Sequence, residues 1–105
     1  GSTEHRARLL VDVVSAIRQR CGPDFTILVR LDGRDYGMAN GITPELAARY
    51  ASLAVAAGAD AIHVTAYSTT AGGPGFTDGP LPWLECQYED LARTVKAAVE
   101  VPVIA

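Results

Sequence analysis

Apolar and polar residues follow two different periods along this chain, and each change of period marks the boundary of an element. Between residues 10 and 21, apolar side chains recur every three to four positions, which predicts an amphipathic helix that Gly22-Pro23 ends. The predicted apolar stripe consists of Leu10, Val13, Val14, Ile17 and Cys21. Glu4, near the start of this helix, suits the positive end of the helix dipole.

The next segment, Phe25 to Leu31, has a period of two, which predicts a strand. Its apolar face consists of Phe25, Ile27, Val29 and Leu31. The opposite face carries Arg30 at the carboxyl end of the strand, where α/β sheets and barrels place their ligands. A fixed positive charge there needs an anionic or strongly polar partner. Arg30 therefore indicates a ligand site, and the alternative is an ion pair with a neighbour such as Asp32.

A turn-rich loop from Asp32 to Gly41 leads to a strong helix start at Thr43-Pro44-Glu45. The start combines an N-cap hydroxyl, a proline at the first helical position and an early carboxylate. The predicted apolar face of this helix consists of Leu46, Tyr50, Leu53 and Ala57. Gly58 then closes it.

A second strand is predicted from Ala61 to Ala66, with alternating faces. Ile62 and Val64 are expected to face the helices, whereas the other face carries His63, Thr65 and Tyr67. A loop rich in Gly, Pro and Thr follows from Ser68 to Leu84. A third helix is predicted over 87–99, with Tyr88, Leu91, Val95 and Val99 as its stripe, and a third buried strand begins at 101.

This alternation of strands and helices predicts parallel pairing through right-handed crossovers. Such units occur in doubly wound sheets and in (β/α)8 barrels. Polar residues at successive strand ends, in a chain that opens on a helix and stops within a strand, favour the barrel. A barrel needs about 250 residues. We therefore expect the 105 residues to be a single incomplete α/β domain, the middle segment of a TIM barrel in a larger enzyme.

Composition narrows the function further. The net charge is −3, which gives no electrostatic basis for binding nucleic acid or an anionic membrane surface. The apolar stretches are too short to span a bilayer and no leader is recognisable, so we expect a cytoplasmic protein. Cys21 and Cys86 lack the spacing of a metal site and are predicted to be buried free thiols.

The best candidate site combines Arg30, His63 and Thr65, because parallel neighbours bring their carboxyl ends together. For His63, a hydrogen-bonded interior residue is favoured over a catalytic one. Tyr67 and Ser68 lie just beyond the predicted strand tip, where substrate loops belong, and are expected to contact substrate. The alternative for both is an ordinary solvated loop.

Two weaker patterns do not indicate sites. Gly72-Gly73-Pro74-Gly75 lacks the nucleotide fingerprint and better fits a lid, with Phe76 and Trp83 as its apolar contacts. The spacing of Asp32 and Asp35 fails the calcium-loop pattern, and turn chemistry explains both residues.

Several segments resemble Old Yellow Enzyme-like flavin oxidoreductases. The chain opens on Gly1-Ser2-Thr3-Glu4-His5-Arg6-Ala7-Arg8-Leu9-Leu10, which resembles that family's Gly-Gly-Ser-x-Glu-Asn-Arg-x-Arg-Leu segment. Gly22-Pro23-Asp24-Phe25 leading into Val29-Arg30-Leu31, and Gly58-Ala59-Asp60-Ala61-Ile62-His63-Val64, are similar to its strand motifs. Val101-Pro102-Val103-Ile104-Ala105 is similar to the strand before its phosphate-binding region. His5 departs from the family, which usually has asparagine there.

The resemblance implies a (β/α)8 barrel that holds FMN, takes hydride from NAD(P)H and passes it to an activated alkene or enoyl substrate. It implies that Arg30 contacts the pyrimidine side of the flavin, where a cation stabilises negative charge on the reduced ring. The family's substrate-anchoring pair and proton donor would precede Gly1, and its main phosphate contacts would follow Ala105. We therefore expect the fragment alone to be inactive and assign it no catalytic residue and no metal ligand.

Three alternatives stay open. The parent could be another flavin- or phosphate-binding TIM-barrel enzyme, or the chain could be a non-catalytic flavodoxin-like binding module. The module is disfavoured because such domains normally open on a strand and close with a helix. The isolated fragment could also self-associate through its bare sheet edges. The expected partner is a small-molecule substrate, and the parent could form a homo-oligomer.

Overall fold

The computed structural model describes residues 1–68 and 86–105, in which three helices alternate with three strands. The helices are α1 (Thr3–Cys21), α2 (Pro44–Ala56) and α3 (Glu89–Lys96), and the strands are β1 (Leu28–Tyr36), β2 (Ala61–Ser68) and β3 (Val103–Ile104). The strands form one open parallel sheet in the order β1-β2-β3. The predicted α/β alternation and parallel pairing are confirmed, whereas closure into a barrel stays a prediction.

Local sequence signals explain where the first two helices begin. The Ser2 hydroxyl accepts a hydrogen bond from the His5 N–H at the start of α1, and Thr43 does the same for the Leu46 N–H at the start of α2, each at 3.3 Å. These side chains satisfy N–H groups that have no partner within the helix. The helix start predicted at Thr43-Pro44 is therefore confirmed.

The core lies between the helices and one face of the sheet. Ile62 and Val64 of β2 are fully buried, as their alternation predicted. The fully buried residues of α2 are Ala47, Ala51 and Ala54, and not the larger residues predicted to line its face. Leu46, Tyr50, Leu53 and Ala57 are only partly buried. Alanines permit close approach to the sheet, so the larger side chains pack at the flanks.

The first strand is displaced from its predicted position. Phe25 precedes β1 and is 52% exposed, so its assignment to the buried face was wrong. The strand continues to Tyr36, through residues predicted to form a loop. Gly33 explains the continuation, because a Cβ there would lie 2.8 Å from Val64 Cγ1 and 2.9 Å from Leu91 Cβ. Without a side chain at this position, α3 packs directly on the strand.

Three further residues are more exposed than the sequence predicted. Val13 is 48% exposed, although it was placed on the buried stripe of α1. Cys21 and Cys86 are free but exposed, and not buried as predicted. Cys21 is the last residue of α1 and Cys86 occupies the turn before α3, so neither lies on a packed face.

The third helix is shorter than predicted, but its stripe is largely correct. Leu91, Val95 and Val99 are buried, and Tyr88 packs against them while partly exposed. The helix ends at Lys96, whose ammonium group donates hydrogen bonds to the next carbonyls that the chain presents. These acceptors belong to Val99, Glu100 and Val101, at 3.1–3.3 Å. A lysine at this position also suits the negative end of the helix dipole.

Most of the predicted loop from Ser68 to Leu84 lies outside the described residues. This applies to the glycine-rich segment 72–75 and to the proposed lid contacts Phe76 and Trp83. Within residues 1–68 and 86–105, none of the helices has the length and apolarity needed to cross a membrane.

Arg18 joins three segments at the amino edge of the sheet. Its Nη1 donates to the carbonyl oxygens of Gly22, Pro23 and Phe25 at 2.8, 3.0 and 2.7 Å. Its Nη2 donates to the Gly58 carbonyl at 2.8 Å and to Asp60 Oδ2 at 2.6 Å. We call these contacts the amino-edge network. It ties the end of α1 to the loops before β1 and β2.

Asp60 completes the amino-edge network by fixing the start of β1. Its Oδ2 accepts the Ile27 N–H at 2.7 Å, and its own N–H donates to the Ile27 carbonyl at 2.9 Å. The Ile27 N–H, followed by the Arg18 guanidinium, holds the pKa of the Asp60 carboxyl below its usual value of 3.8. Gly58 has φ +116° and packs against the Arg18 stem, where a Cβ would lie 3.1 Å from Cγ. The Gly58-Ala59-Asp60 motif therefore has a structural role here.

Candidate functional site

The parallel pairing of β1 and β2 brings the predicted site residues onto one face of the sheet, with Thr65 and Tyr67 toward its carboxyl edge. Arg30 is the third of the nine residues of β1, so its predicted position at the carboxyl end of the strand was wrong, because the strand continues to Tyr36. In the parallel register, Arg30 pairs with His63 and Asp32 pairs with Thr65. Paired residues of neighbouring parallel strands point to the same side, here away from the helices. The predicted grouping of Arg30, His63 and Thr65 on one face is therefore confirmed.

A cleft of ≈ 330 Å³ opens at this edge. It is lined by Arg30, Leu31, Asp32, Thr65, Ala66 and Tyr67. We call it the Arg30 cleft. Its wall includes a guanidinium, a carboxylate and two hydroxyl-bearing side chains, which together provide convergent polar groups for a ligand.

Thr65 is the buried polar residue of this edge, with 8% of its surface exposed. Its Oγ1 accepts a hydrogen bond from Arg30 Nη2 at 3.4 Å, a distance at the long end for such a bond. A hydroxyl in this position limits the orientations that the guanidinium can adopt. Thr65 therefore contacts Arg30 directly, whereas the sequence indicated only a polar lining residue.

His63 lies beside Arg30 but is only partly buried. In the described part of the chain its imidazole makes no hydrogen bond, so the interior hydrogen bond expected from the sequence is not seen there. The same open face carries Leu28, 53% exposed, and Ile104, 48% exposed. Ile104 lies at the level of Arg30 and His63, whereas the polar residues Asp32 and Thr65 lie one step further along the strands.

Tyr67 and Ser68 belong to β2 itself, whereas the sequence placed them just beyond the strand tip. Tyr67 is 50% exposed and lines the Arg30 cleft, so its ring is accessible to a ligand. Ser68 pairs with Tyr36 at the last position of the ladder. Both stay candidates for substrate contact.

Asp35 fixes the loop that borders the cleft. Its N–H donates to the Ile42 carbonyl at 2.9 Å, and its Oδ2 accepts the Ile42 N–H at 2.8 Å. A Cβ on Gly41 would lie 2.5 Å from Asp35 Cβ, so the loop closes tightly on the strand. A register shift between Asp32 and Asp35 turns Asp35 toward this loop, opposite Tyr67. The sequence assigned Asp35 to turn chemistry but gave no signal of the bulge.

A larger groove of ≈ 580 Å³ is lined by residues of α3, of the turn before it and of the β3 segment. Its walls are mainly apolar, and its charged residues are engaged locally. Arg93 pairs with Glu89 on the same helix, and Lys96 binds the carbonyls that follow α3. The smaller Arg30 cleft is the better candidate, because its polar groups converge on one space.

No protein-family model matches the chain. The chain is similar to a protein named Metal reductase. That protein comes from Desulforamulus reducens, and the two sequences are 32% identical over all 105 residues. The chain spans 15% of the length of this relative.

Proposed function

We propose that this chain is part of a larger FMN-dependent oxidoreductase, in which the Arg30 cleft contacts the pyrimidine side of the flavin. The observation that carries the proposal is the cleft that Arg30 shares with Thr65 and Tyr67, which extends to the carboxyl edge of the sheet at Tyr67. Ligands of parallel α/β folds bind at this edge. The resemblance to Old Yellow Enzyme-like proteins and the similarity to a reductase support the same reading.

The residues of the Arg30 cleft fit a flavin ring edge. Arg30 supplies N–H donors in a planar array, which suits carbonyl oxygens and ring nitrogen. Asp32 supplies acceptors, and the exposed Tyr67 ring offers a flat apolar surface. The cleft has a volume of ≈ 330 Å³, within the range of small-molecule sites. The remaining contacts would come from other parts of the parent protein.

FMN, when bound, would supply two-electron chemistry, taking hydride from NAD(P)H and delivering it to an acceptor. The chain's own contribution is electrostatic. The Arg30 guanidinium is a cation and would stabilise negative charge on the ring edge that it contacts. The Thr65 hydroxyl accepts a hydrogen bond from the guanidinium and would restrict the position of the positive charge before the flavin is reduced.

We propose an activated alkene or enoyl compound as the acceptor, with Tyr67 and Ser68 near the substrate. The similarity to a protein named Metal reductase supports a second candidate, a metal ion that is reduced as substrate. In both cases the partner is a small molecule or ion. The parent is proposed to be cytoplasmic and to form homo-oligomers.

The test begins with the visible absorption spectrum of the full-length parent protein, followed by anaerobic addition of NADH or NADPH. We expect a flavin spectrum that bleaches on reduction. Arg30→Ala should weaken FMN binding about 10- to 100-fold, the range for a lost hydrogen bond to a charged group. Arg6→Ala, which removes an exposed arginine on α1, is the matched control and should bind FMN normally.

A colourless protein that does not bind added FMN would refute the flavin reading and leave only an α/β fold of other chemistry. Equal FMN affinity in Arg30→Ala and Arg6→Ala would leave the flavin proposal in place but would show that Arg30 does not contribute to FMN binding. Reoxidation of the reduced protein by an enone, compared with reoxidation by Fe(III), distinguishes the two acceptors.

A further inference from the structure

Helix α1 carries a second apolar stripe besides the one that packs on the core. Ala7 and Val14 are buried, whereas Leu9 and Val13, on another face of the helix, are 75% and 48% exposed. Val13 lies four residues after Leu9 and three before the exposed Ala16, a spacing that aligns side chains along a helix. The same spacing continues to an arginine at each end, and we call the whole set the α1 seam: Arg6, Leu9, Val13, Ala16 and Arg20.

Within residues 1–68 and 86–105, the α1 seam is left open to solvent. The contact of α1 with α2 includes a pair on another flank, where Arg49 donates to Glu4 at 3.2 Å. Val13 follows Glu4 by about two and a half helical turns, so the two residues face opposite sides of the helix. Single exposed apolar residues are common on protein surfaces, but a row with alternating steps of four and three is typical of a seam between two helices.

The charges at the ends of the α1 seam select the kind of partner. A symmetric pair of copies packed through the seam would bring like charges together, because Arg6 faces Arg20 in an antiparallel pair and Arg6 in a parallel one. Like charges across an interface oppose association, so the seam disfavours a second copy. Carboxylates opposite both arginines would instead form charge pairs at the two ends of an apolar centre.

We propose that the α1 seam packs against an amphipathic helix of the parent protein that lies outside residues 1–105. This helix carries apolar residues opposite Leu9 and Val13 and carboxylates at both ends of the contact. The chain spans 15% of the length of its reductase relative, so a protein of that length has ample further sequence to supply the helix. The inference rests on one part of the proposed function, that the chain belongs to a larger protein, and is independent of flavin binding.

Thiol labelling of the full-length protein tests whether the seam is covered. Leu9→Cys and Val13→Cys place a thiol on the seam, whereas Arg8→Cys places one off the seam, where the Arg8 side chain is 79% exposed. Labelling by N-ethylmaleimide is measured by mass spectrometry on the peptide that carries each new thiol, relative to the rate in denatured protein. Both seam thiols should react at least about 10-fold more slowly than Arg8→Cys, because they react only when the helices separate. Rates within about threefold of Arg8→Cys would overturn the inference.

The charged ends of the seam are tested separately. Arg6→Glu should raise the labelling rate of the Leu9→Cys thiol at least about fivefold, because the glutamate would face a carboxylate of the partner. Arg8→Glu is the matched control, since it makes the same charge change beside the same thiol but off the seam, and the rate should stay within about twofold. Arg6→Ala should have a small effect, because it removes one exposed charge pair without adding repulsion. Equal labelling in Arg6→Glu and Arg8→Glu would overturn the acidic partner.

A cross-link from the seam identifies the partner. Leu9→Cys is modified with a maleimide–benzophenone reagent in a mixture of copies that carry two different nitrogen isotopes. A product within one isotope, on a peptide outside residues 1–105 with acidic residues flanking an apolar helical stripe, supports the proposal. Products that combine both isotopes would show a second copy and overturn it, as would a product within residues 1–105.

The outcomes separate this inference from the proposed function. Protected seam thiols in a protein that does not bind FMN would refute the flavin proposal and leave the α1 seam intact. Freely reactive seam thiols in a protein that binds FMN would overturn only the inference about the seam.

Discussion

Removal of the Arg18 side chain should open the amino edge of the sheet. Arg18 is 21% exposed and donates to four backbone carbonyls as well as to Asp60. A hydrogen bond of this kind contributes about 0.5–1 kcal/mol after exchange with water, so the four carbonyl contacts amount to about 2–4 kcal/mol. Arg18→Ala should therefore lower the free energy of local opening by that amount.

Hydrogen exchange measures this opening in the full-length protein without requiring two-state unfolding. The reporters are the amides of Ile27 and Asp60, which are hydrogen bonded across the network. Because 1.4 kcal/mol is a factor of ten, Arg18→Ala should accelerate their exchange about 30- to 1,000-fold. Exchange rates in Arg18→Lys should fall between those of the wild type and those of Arg18→Ala, since an ammonium is a point donor that cannot reach acceptors on three segments.

Arg20→Ala is the control, because Arg20 is exposed on the last turn of the same helix. Its effect should stay within about 0.5 kcal/mol, as for most surface substitutions. Exchange in Arg18→Ala that matches Arg20→Ala within about threefold would refute the reasoning. The carbonyls would then be as well satisfied by water as by the guanidinium.

Three more predictions concern single residues. The pKa of Asp60 is held below 3.8 in the folded state, so the ionised carboxylate stabilises the fold above that pH, and this stabilisation is lost as the pH falls below it. In acid denaturation followed by circular dichroism, Asp60→Asn should be less stable than the wild type at pH 7, and the difference should shrink below pH 4. Gly33→Ala should cost about 1–3 kcal/mol because its Cβ would press on Leu91, and an unchanged melting temperature would contradict this. Thr65→Val should weaken FMN binding about two- to fivefold, less than Arg30→Ala, because it removes one contact of the guanidinium and leaves the guanidinium itself in place.

Periodicity was enough to predict the order of the elements and the faces of β2. The alternation that places Ile62 and Val64 on one buried face is a strong local signal, and tertiary packing rarely overrides such a signal. The helix face of α2 was predicted wrongly, because hydrophobicity favours Leu46 and Leu53 over alanine. The close approach of helix and sheet, which makes alanine the buried residue, is a property of the packed fold and not of the helix alone.

The candidate site was predicted in part for the same reason. Strand alternation and parallel pairing were sufficient to place Arg30 and Thr65 together. The extension of β1 to Tyr36 was missed, because Asp32 and Gly33 are typical turn residues. The extended conformation there goes with pairing to β2 and with the close approach of Leu91 to Gly33, a contact that spans nearly sixty residues of sequence. The role of Asp35 in closing the loop was missed as a consequence.

The amino-edge network has a consequence for how this protein can diversify. Arg18 and Asp60 hold the segments together at one end of the strands, whereas the cleft residues Thr65 and Tyr67 lie at the other. Selection for a new substrate can therefore exchange residues at the cleft without drawing on the contacts that keep the chain folded. In a library of random variants, tolerated substitutions should be more frequent near the Arg30 cleft, and inactivating substitutions should be more frequent near the amino-edge network. The two ends of the same strands would evolve at different rates.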